Sequence, residues 1–233
     1  MKKLAIFVEG QTERIFVSKL VREIAGEKKV FIATEKPMKS RKGERIFTVI
    51  DVTKIPTDEK YYVLIRDCGG DSCVMSDIKD YCEKLSKSGY EKIVGLRDVY
   101  PIPASDIPKL RKGLVYGIPT RYIPIHLVLA VMEIEAWFLA ETTHFRRIHD
   151  SLTPQVIAST LGFDPTVEDV ESRPHPSEDL KTVYKVAGLS YKKRKNSVER
   201  TVEAIDYGEL YLEQAERVKS LGEFVDQIDT FLT

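Results

Sequence analysis

The sequence predicts an α/β fold, a mainly parallel sheet flanked by helices and followed by a helical C-terminal part. Three observations carry that prediction. Continuous apolar runs at residues 4–8, 61–65 and 93–96 have the length of strands buried on both faces. The first two are each broken by glycine, at Gly10 and at Gly69-Gly70, and are then followed by helical periodicity. Near residue 150 the strand signals fade, and Pro154, Pro165, Pro174 and Pro176 punctuate a polar stretch before three further helical patterns.

Taken in order, residues 4–8 form the opening strand, and Ile15, Phe16, Leu20, Val21 and Ile24 recur at helical spacing over 12–25. Residues 29–34 are a second strand, 40–45 a charged turn and 46–52 a third strand. The run at 61–65 ends in Arg66, Asp67 and the Gly69-Gly70 pair. After Asp71 and Ser72, a helix places Val74, Ile78, Tyr81, Cys82 and Leu85 on one face, and Gly89 stops it. The next strand, 93–96, is followed by Arg97, Asp98 and a turn containing Pro101 and Pro103. A short helix at 107–116, a strand at 123–131 and a helix at 132–140 follow. The last helical patterns cover 178–187, 197–206 and 209–231. The expected organisation is a sheet domain over 1–150, with a helical region over 151–233 packed on it.

The chain has 233 residues, enough to bury a substantial core, with 42% hydrophobic and 31% charged residues. Lys plus Arg balances Asp plus Glu at 36 each, so contact with a polyanion must use a local patch. Cys68, Cys73 and Cys82 are odd in number and lack metal-site spacing, which favours reduced thiols. The apolar start is short and interrupted by Glu9, unlike a signal peptide, and no stretch approaches the roughly 20 apolar residues of a membrane span. The expectation is a soluble, cytoplasmic protein with no membrane partner. Nothing in the pattern sets an oligomeric state.

Glu9, Asp67 and Asp98 each follow directly, or almost directly, after a predicted strand. Ligands of open parallel sheets bind beyond the carboxyl ends of the strands, and neighbouring strands lie about 4.8 Å apart. Acids at such positions would crowd, and a shared proton or a hard cation such as Mg²⁺ relieves the repulsion. Any one of them taken alone reads as an ordinary loop or capping carboxylate.

Val8-Glu9-Gly10-Gln11-Thr12-Glu13 resembles the opening motif of Toprim-like domains, in which a strand-end glutamate precedes a helix. With the segments 64–72 (LIRDCGGDS) and 130–140 (AVMEIEAWFLA), the chain resembles an uncharacterised prokaryotic Toprim-like family (domain of unknown function 4276). That family is allied to the Toprim nucleases of the overcoming-lysogenisation-defect type. The resemblance spans most of the chain, including Tyr184-Lys185 and the late helix with Phe224 and Phe231. It implies a Rossmann-like Toprim fold, Mg²⁺ or Mn²⁺ as cofactor, and phosphodiester hydrolysis in genome maintenance or phage defence. Glu9 matches the family's strand-end glutamate, a metal ligand or general base, and Asp67 matches the first acid of its Asp-x-Asp motif. Position 69 is Gly, so the second acid of that motif is missing, and Asp71 or Asp98 stands as its replacement.

Glu9, Asp67 and Asp71 suffice in type for one ion, and a second would draw on Asp98, Glu133 or Glu135. Glu133 and Glu135 flank Ile134 in an otherwise apolar segment, where a buried carboxylate needs a cation or metal, and the resemblance favours Glu135. Glu13 reads as a first-turn glutamate favourable to the helix dipole, or as an outer contact. Trp137 reads as core. For nucleic acid, Lys36, Lys39, Arg41, Lys42 and Arg45 form one basic cluster and Lys192, Lys193, Arg194 and Lys195 another, with solubilising surface charge as the alternative. Arg66 and Arg97 precede strand-end acids and are placed either for a scissile phosphate or for pairing with those acids. The expected catalytic set is Glu9, Asp67, Asp71 and Arg66, and the expected metal set Glu9, Asp67, Asp71, Asp98 and Glu135. A regulatory module that keeps the fold and binds metal or nucleic acid without catalysis is the competing expectation.

Overall fold

The computed structural model describes residues 1–39, 45–53, 60–119, 121–192 and 194–233, with the side chain of Asp71 outside the described set. The predicted charged turn, with Arg41 and Lys42, falls largely outside the described residues, as does Lys193. The chain divides into two compact units. The first comprises Met1–Arg97, Ser105–Leu129 and Asp226–Thr233, and the second Asp98–Ala104 and Ala130–Val225. This division differs from a boundary at 150. The apolar segment after residue 130 packs among helices, and the last residues return to the sheet unit, where Phe231 meets the Tyr61 ring at 6.0 Å and Lys92 Nζ donates to the Gln227 carbonyl at 2.8 Å.

The sheet is built from β1 (Lys2–Val8), β2 (Val30–Lys39), β3 (Arg45–Val52), β4 (Tyr61–Asp67), β5 (Lys92–Asp98) and β6 (Ile125–Ala130). It is six-stranded, in the order β3-β2-β4-β1-β5-β6. Strand β1 runs parallel to β4 and β5, and β2 runs parallel to β4. Central placement explains the unbroken apolar run of β1, since Leu4, Ala5, Ile6, Phe7 and Val8 have no solvent exposure. Strand β2 outlasts its predicted end because β3 folds back on it antiparallel, pairing Pro37 with Phe47 and Met38 with Ile46. The polar residues in that half of β2 suit an edge hairpin, which has no apolar run to announce it.

Helices α1 (Gln11–Ala25) and α2 (Asp71–Lys87) cover opposite faces of the sheet. Neighbouring residues of a strand point to opposite faces. Asp67 meets Arg14 of α1, whereas Arg66 meets Tyr81 of α2. Phe16, Val17, Leu20 and Val21 bury the inner stripe of α1, and Val74, Ile78, Cys82 and Leu85 bury that of α2. Gly95 of β5 belongs to this packing: a Cβ there would come within 2.8 Å of both Ile78 Cδ1 and Leu127 Cδ2. The exposed helix α3 (Ile107–Val115) precedes β6. Among the described residues no helix is long and apolar enough to cross a membrane.

In the second unit, α4 (Glu135–Ala140), α5 (His144–Ile148), α6 (Pro154–Leu161), α7 (Pro176–Val186) and α8 (Lys195–Ala204) precede a final helix, Lys219–Asp229, most of which belongs to this unit. The predicted helix at 132–140 begins late because Met132 sits at φ 61, a left-handed conformation that an α-helix excludes. The helix predicted over 209–231 is broken into short turns with an extended residue at Val218 (φ −100, ψ 104). Trp137 is core, as its sequence context suggests. It is fully buried, donates to Ser220 Oγ at 2.8 Å and faces the Phe224 ring at 5.7 Å. Gly222 approaches the preceding turns so closely that a Cβ would lie 2.4 Å from the Ala215 carbonyl oxygen. A backbone oxygen cannot rotate aside, so Gly222→Ala is expected to lose about 1–3 kcal/mol, measurable as a lower urea midpoint.

Candidate functional site

The carboxyl rim of the first unit's sheet is set by the β1–β4 ladder. Val8 and Asp67 are register partners, so Glu9 lies one residue beyond the level of Asp67 on the neighbouring strand. Beyond the strands the pairing continues for one more step. Cys68 donates its amide to the Val8 carbonyl at 2.8 Å, and Gly70 donates to the Glu9 carbonyl at 2.8 Å. The two glycines make that step possible, since Gly69 and Gly70 adopt φ 71 and 149, conformations that side chains disfavour. Glu9 and Asp67 thus share one rim, and each is only 8% exposed.

Asp67 Oδ1 accepts the Gly69 amide at 2.9 Å, and Oδ2 lies 3.6 Å from Arg14 Nε. Burial pushes the Asp67 carboxyl above its ordinary value, against the lowering influence of the Gly69 amide, Arg14 and Lys36. At the start of α1, Glu13 reaches back to accept the Gly10 amide at 3.0 Å, which makes it the return half of a capping box. No sequence pattern pointed to Arg14 as the cation beside Asp67, although it occupies the first turn of the helix that follows the rim glutamate. Lys36, expected in a basic cluster, acts on Asp67 because the unforeseen extension of β2 carries it towards the rim.

Arg66 has a different setting. Its Nε and Nη2 donate to the same oxygen of Glu35, at 3.0 and 2.7 Å, and its guanidinium lies 4.2 Å from the Phe47 ring centre and 4.5 Å from that of Tyr81. Strand alternation turns it to the α2 face, away from the face of Asp67. Arg45 pairs with Asp77 of α2 and donates to the Cys68 carbonyl, so this member of the basic cluster braces the rim from behind.

Asp98 and Glu135 belong to the second unit. Asp98 accepts the Ile134 amide at 3.0 Å, and Glu135, fully buried, accepts the Tyr191 hydroxyl at 2.8 Å. Glu133 accepts both the amide and the hydroxyl of Ser177, each at 2.9 Å, and so caps the first turn of α7. A cation or metal was expected for at least one of Glu133 and Glu135, with Glu135 favoured, and a helix terminus contributes to holding the other.

The rim acids match a hard divalent ion in donor type, being buried carboxylates at the ends of adjacent strands. Among the described residues no group of three or more His, Cys, Asp or Glu side chains is gathered closely enough to hold an ion. The side chain of Asp71, expected as a further ligand, lies outside the described residues. Glu9 and Asp67 are the rim residues of suitable donor type, and no closed set of three ligands forms among the described residues.

The profile of a family described as a domain of unknown function, DUF4276, matches residues 8–227, from the residue before the rim glutamate to the final helix. The chain belongs to that family. DUF4276 membership reaches into both compact units and agrees with the resemblance to that family carried by residues 8–13, 64–72 and 130–140 together. No curated protein matches the chain. A solved structure that is similar is that of a protein from Lactobacillus plantarum WCFS1 whose cell surface hydrolase role is itself conjectural. It shares 10% identity at a TM-score of 0.30, over 62% of this chain and 57% of that one. The DUF4276 chain thus spans little more than half the length of that protein, and so distant a likeness carries no argument about activity.

Proposed function

We propose that the protein is a divalent-metal-dependent phosphodiester hydrolase, a Toprim-like nuclease, acting at the β1–β4 rim. The observation that supports this most is the pair of buried carboxylates, Glu9 and Asp67, at the ends of adjacent parallel strands in the middle of the sheet. Mg²⁺ or Mn²⁺ held there would neutralise developing phosphate charge and lower the pKa of a water molecule. Asp67, with Oδ1 tied to the Gly69 amide, presents Oδ2 between Arg14 and the rim. Arg14 and Lys36 supply positive potential on the side where a phosphate would enter. Burial keeps bulk water away from both acids, which strengthens their hold on a cation.

The Arg14–Asp67 pair favours a second reading, because a cation already beside Asp67 suits a rim that binds nucleic acid or one metal ion without turnover. Cleavage of single- and double-stranded DNA and RNA in Mg²⁺ or Mn²⁺ decides between them. Hydrolysis by the wild type should fall at least about 100-fold in Glu9→Ala and in Asp67→Ala. Equal cleavage by all three proteins removes the rim from the chemistry. Metal uptake in calorimetry, without cleavage of any polymer, supports the binding module instead.

A further inference from the structure

Strand β3 has the composition of a core strand and the setting of a surface one. Ile46, Phe47, Val49, Ile50 and Val52 are apolar, yet only Phe47 among them is partly covered and the others are exposed. With Met38, which pairs with Ile46 on the neighbouring strand, the hairpin carries five large apolar side chains that are 38–51% exposed. Strand β2 pairs with one edge of β3, and among the described residues no strand pairs with the other. We infer that β3 pairs antiparallel with β3 of a second copy of this chain, about a two-fold axis at Thr48, so that two six-stranded sheets join into one.

Sheet edges are ordinarily protected from such pairing by lysine, proline or a covering element. Between Arg45 and Val52 there is no lysine, proline or glycine, and five of the eight residues are β-branched, a type that favours extended pairing. Residues 45–49 pair with β2 in unbroken register, so over that stretch the outer edge keeps regular strand spacing. The register shift between Thr34 and Glu35 lies beyond Val49.

The order of residues in the strand selects the occupant. An antiparallel pair turned about Thr48 sets Phe47 opposite Val49, Ile46 opposite Ile50 and Arg45 opposite Asp51, each twice by symmetry. Apolar residues thus meet apolar ones, and at both ends a positive residue faces a negative one. Moving the axis by one residue sets either Asp51 against Phe47 or Arg45 against Val49, so the match belongs to one register. An unrelated partner gives no reason for a strand to match its own reverse. A second copy does.

Sedimentation equilibrium of the full chain tests the inference. An edge contact is small, so the wild type should dimerise with a Kd of about 1–100 µM. Ile46 is exposed, so Ile46→Lys should fold normally and associate at least about tenfold more weakly, while Val167→Lys, at a position 76% exposed elsewhere, keeps wild-type association. Thr48→Cys would meet itself on the axis, and mild oxidation should link the copies at least about tenfold faster than in Val167→Cys. A wild type that stays monomeric at about 300 µM overturns the inference. Undiminished association in Ile46→Lys puts any interface elsewhere and overturns it too. Failure of Thr48→Cys to link the copies removes the two-fold register, and with it the choice of a second copy. None of these outcomes bears on cleavage at the rim, so the two proposals stand or fall separately.

Discussion

Arg66→Ala is expected to destabilise the protein by about 3–5 kcal/mol, the range found when one partner of a buried ion pair is removed. Arg66 and Glu35 have side chains 8% and 16% exposed, and both hydrogen bonds of the pair converge on one Glu35 oxygen. Removing the guanidinium leaves that carboxylate largely desolvated without its donors, and it opens a void beside the Phe47 and Tyr81 rings. The double replacement Arg66→Met with Glu35→Leu should recover most of the loss, since an apolar pair of similar volume needs neither donor nor acceptor. Urea titration of wild type, both single variants and the double variant forms the cycle. A loss under about 1 kcal/mol in Arg66→Ala would mean that water reaches Glu35 freely.

The contrast between Arg66 and Asp67 shows how far the sequence could be read. Two adjacent residues after an apolar run were expected at one site, but strand alternation separates them by the thickness of the sheet. That much was available from periodicity alone. The partner of Arg66 was not, because Glu35 lies in the half of β2 that exists only through its hairpin with β3. The central strand–turn–helix units, by contrast, were legible to within about two residues at each end. An apolar run followed by glycine and an amphipathic stripe leaves few alternatives once the run is too short for a helix. Rim geometry was legible for the same reason, as Glu9 and Asp67 end the two most apolar runs. The second unit was less so. Its carboxylates accept from Ser177, Tyr191 and the Ile134 amide, groups whose proximity arises from helix packing and leaves no local pattern. The break at Val218 was hidden likewise, because the apolar spacing continues through it.

A second large effect belongs to that less legible unit. His144 is completely buried, with Nδ1 on the Glu141 carbonyl and Nε2 3.4 Å from the Tyr184 hydroxyl, which is itself 2.9 Å from Thr201 Oγ1. A carbonyl can only accept, so Nδ1 carries the proton and Nε2 is the acceptor. Burial holds the imidazole neutral with its pKa lowered to about 4, and Arg147 adds to the lowering. The hydrogen bond to the Glu141 carbonyl pulls the other way, while the Glu141 carboxylate, 3.7 Å from Nδ1, is engaged by the Thr143 amide and hydroxyl, the Asp206 amide and Arg147. Because the folded pKa lies below the ordinary 6.5, the unfolded chain takes up a proton first as pH falls. The contribution of His144 is therefore fully present above pH about 6.5 and is lost progressively down to pH about 4, a total near 3 kcal/mol at about 1.4 kcal/mol per pH unit. Urea unfolding at pH 7 and pH 4.5 should show this loss in the wild type. His144→Gln, less stable at pH 7, should lose about 2–3 kcal/mol less across the same interval, because it has no ring to protonate. The same pH slope in both proteins would assign the acid sensitivity to carboxylates and leave His144 uninvolved in it.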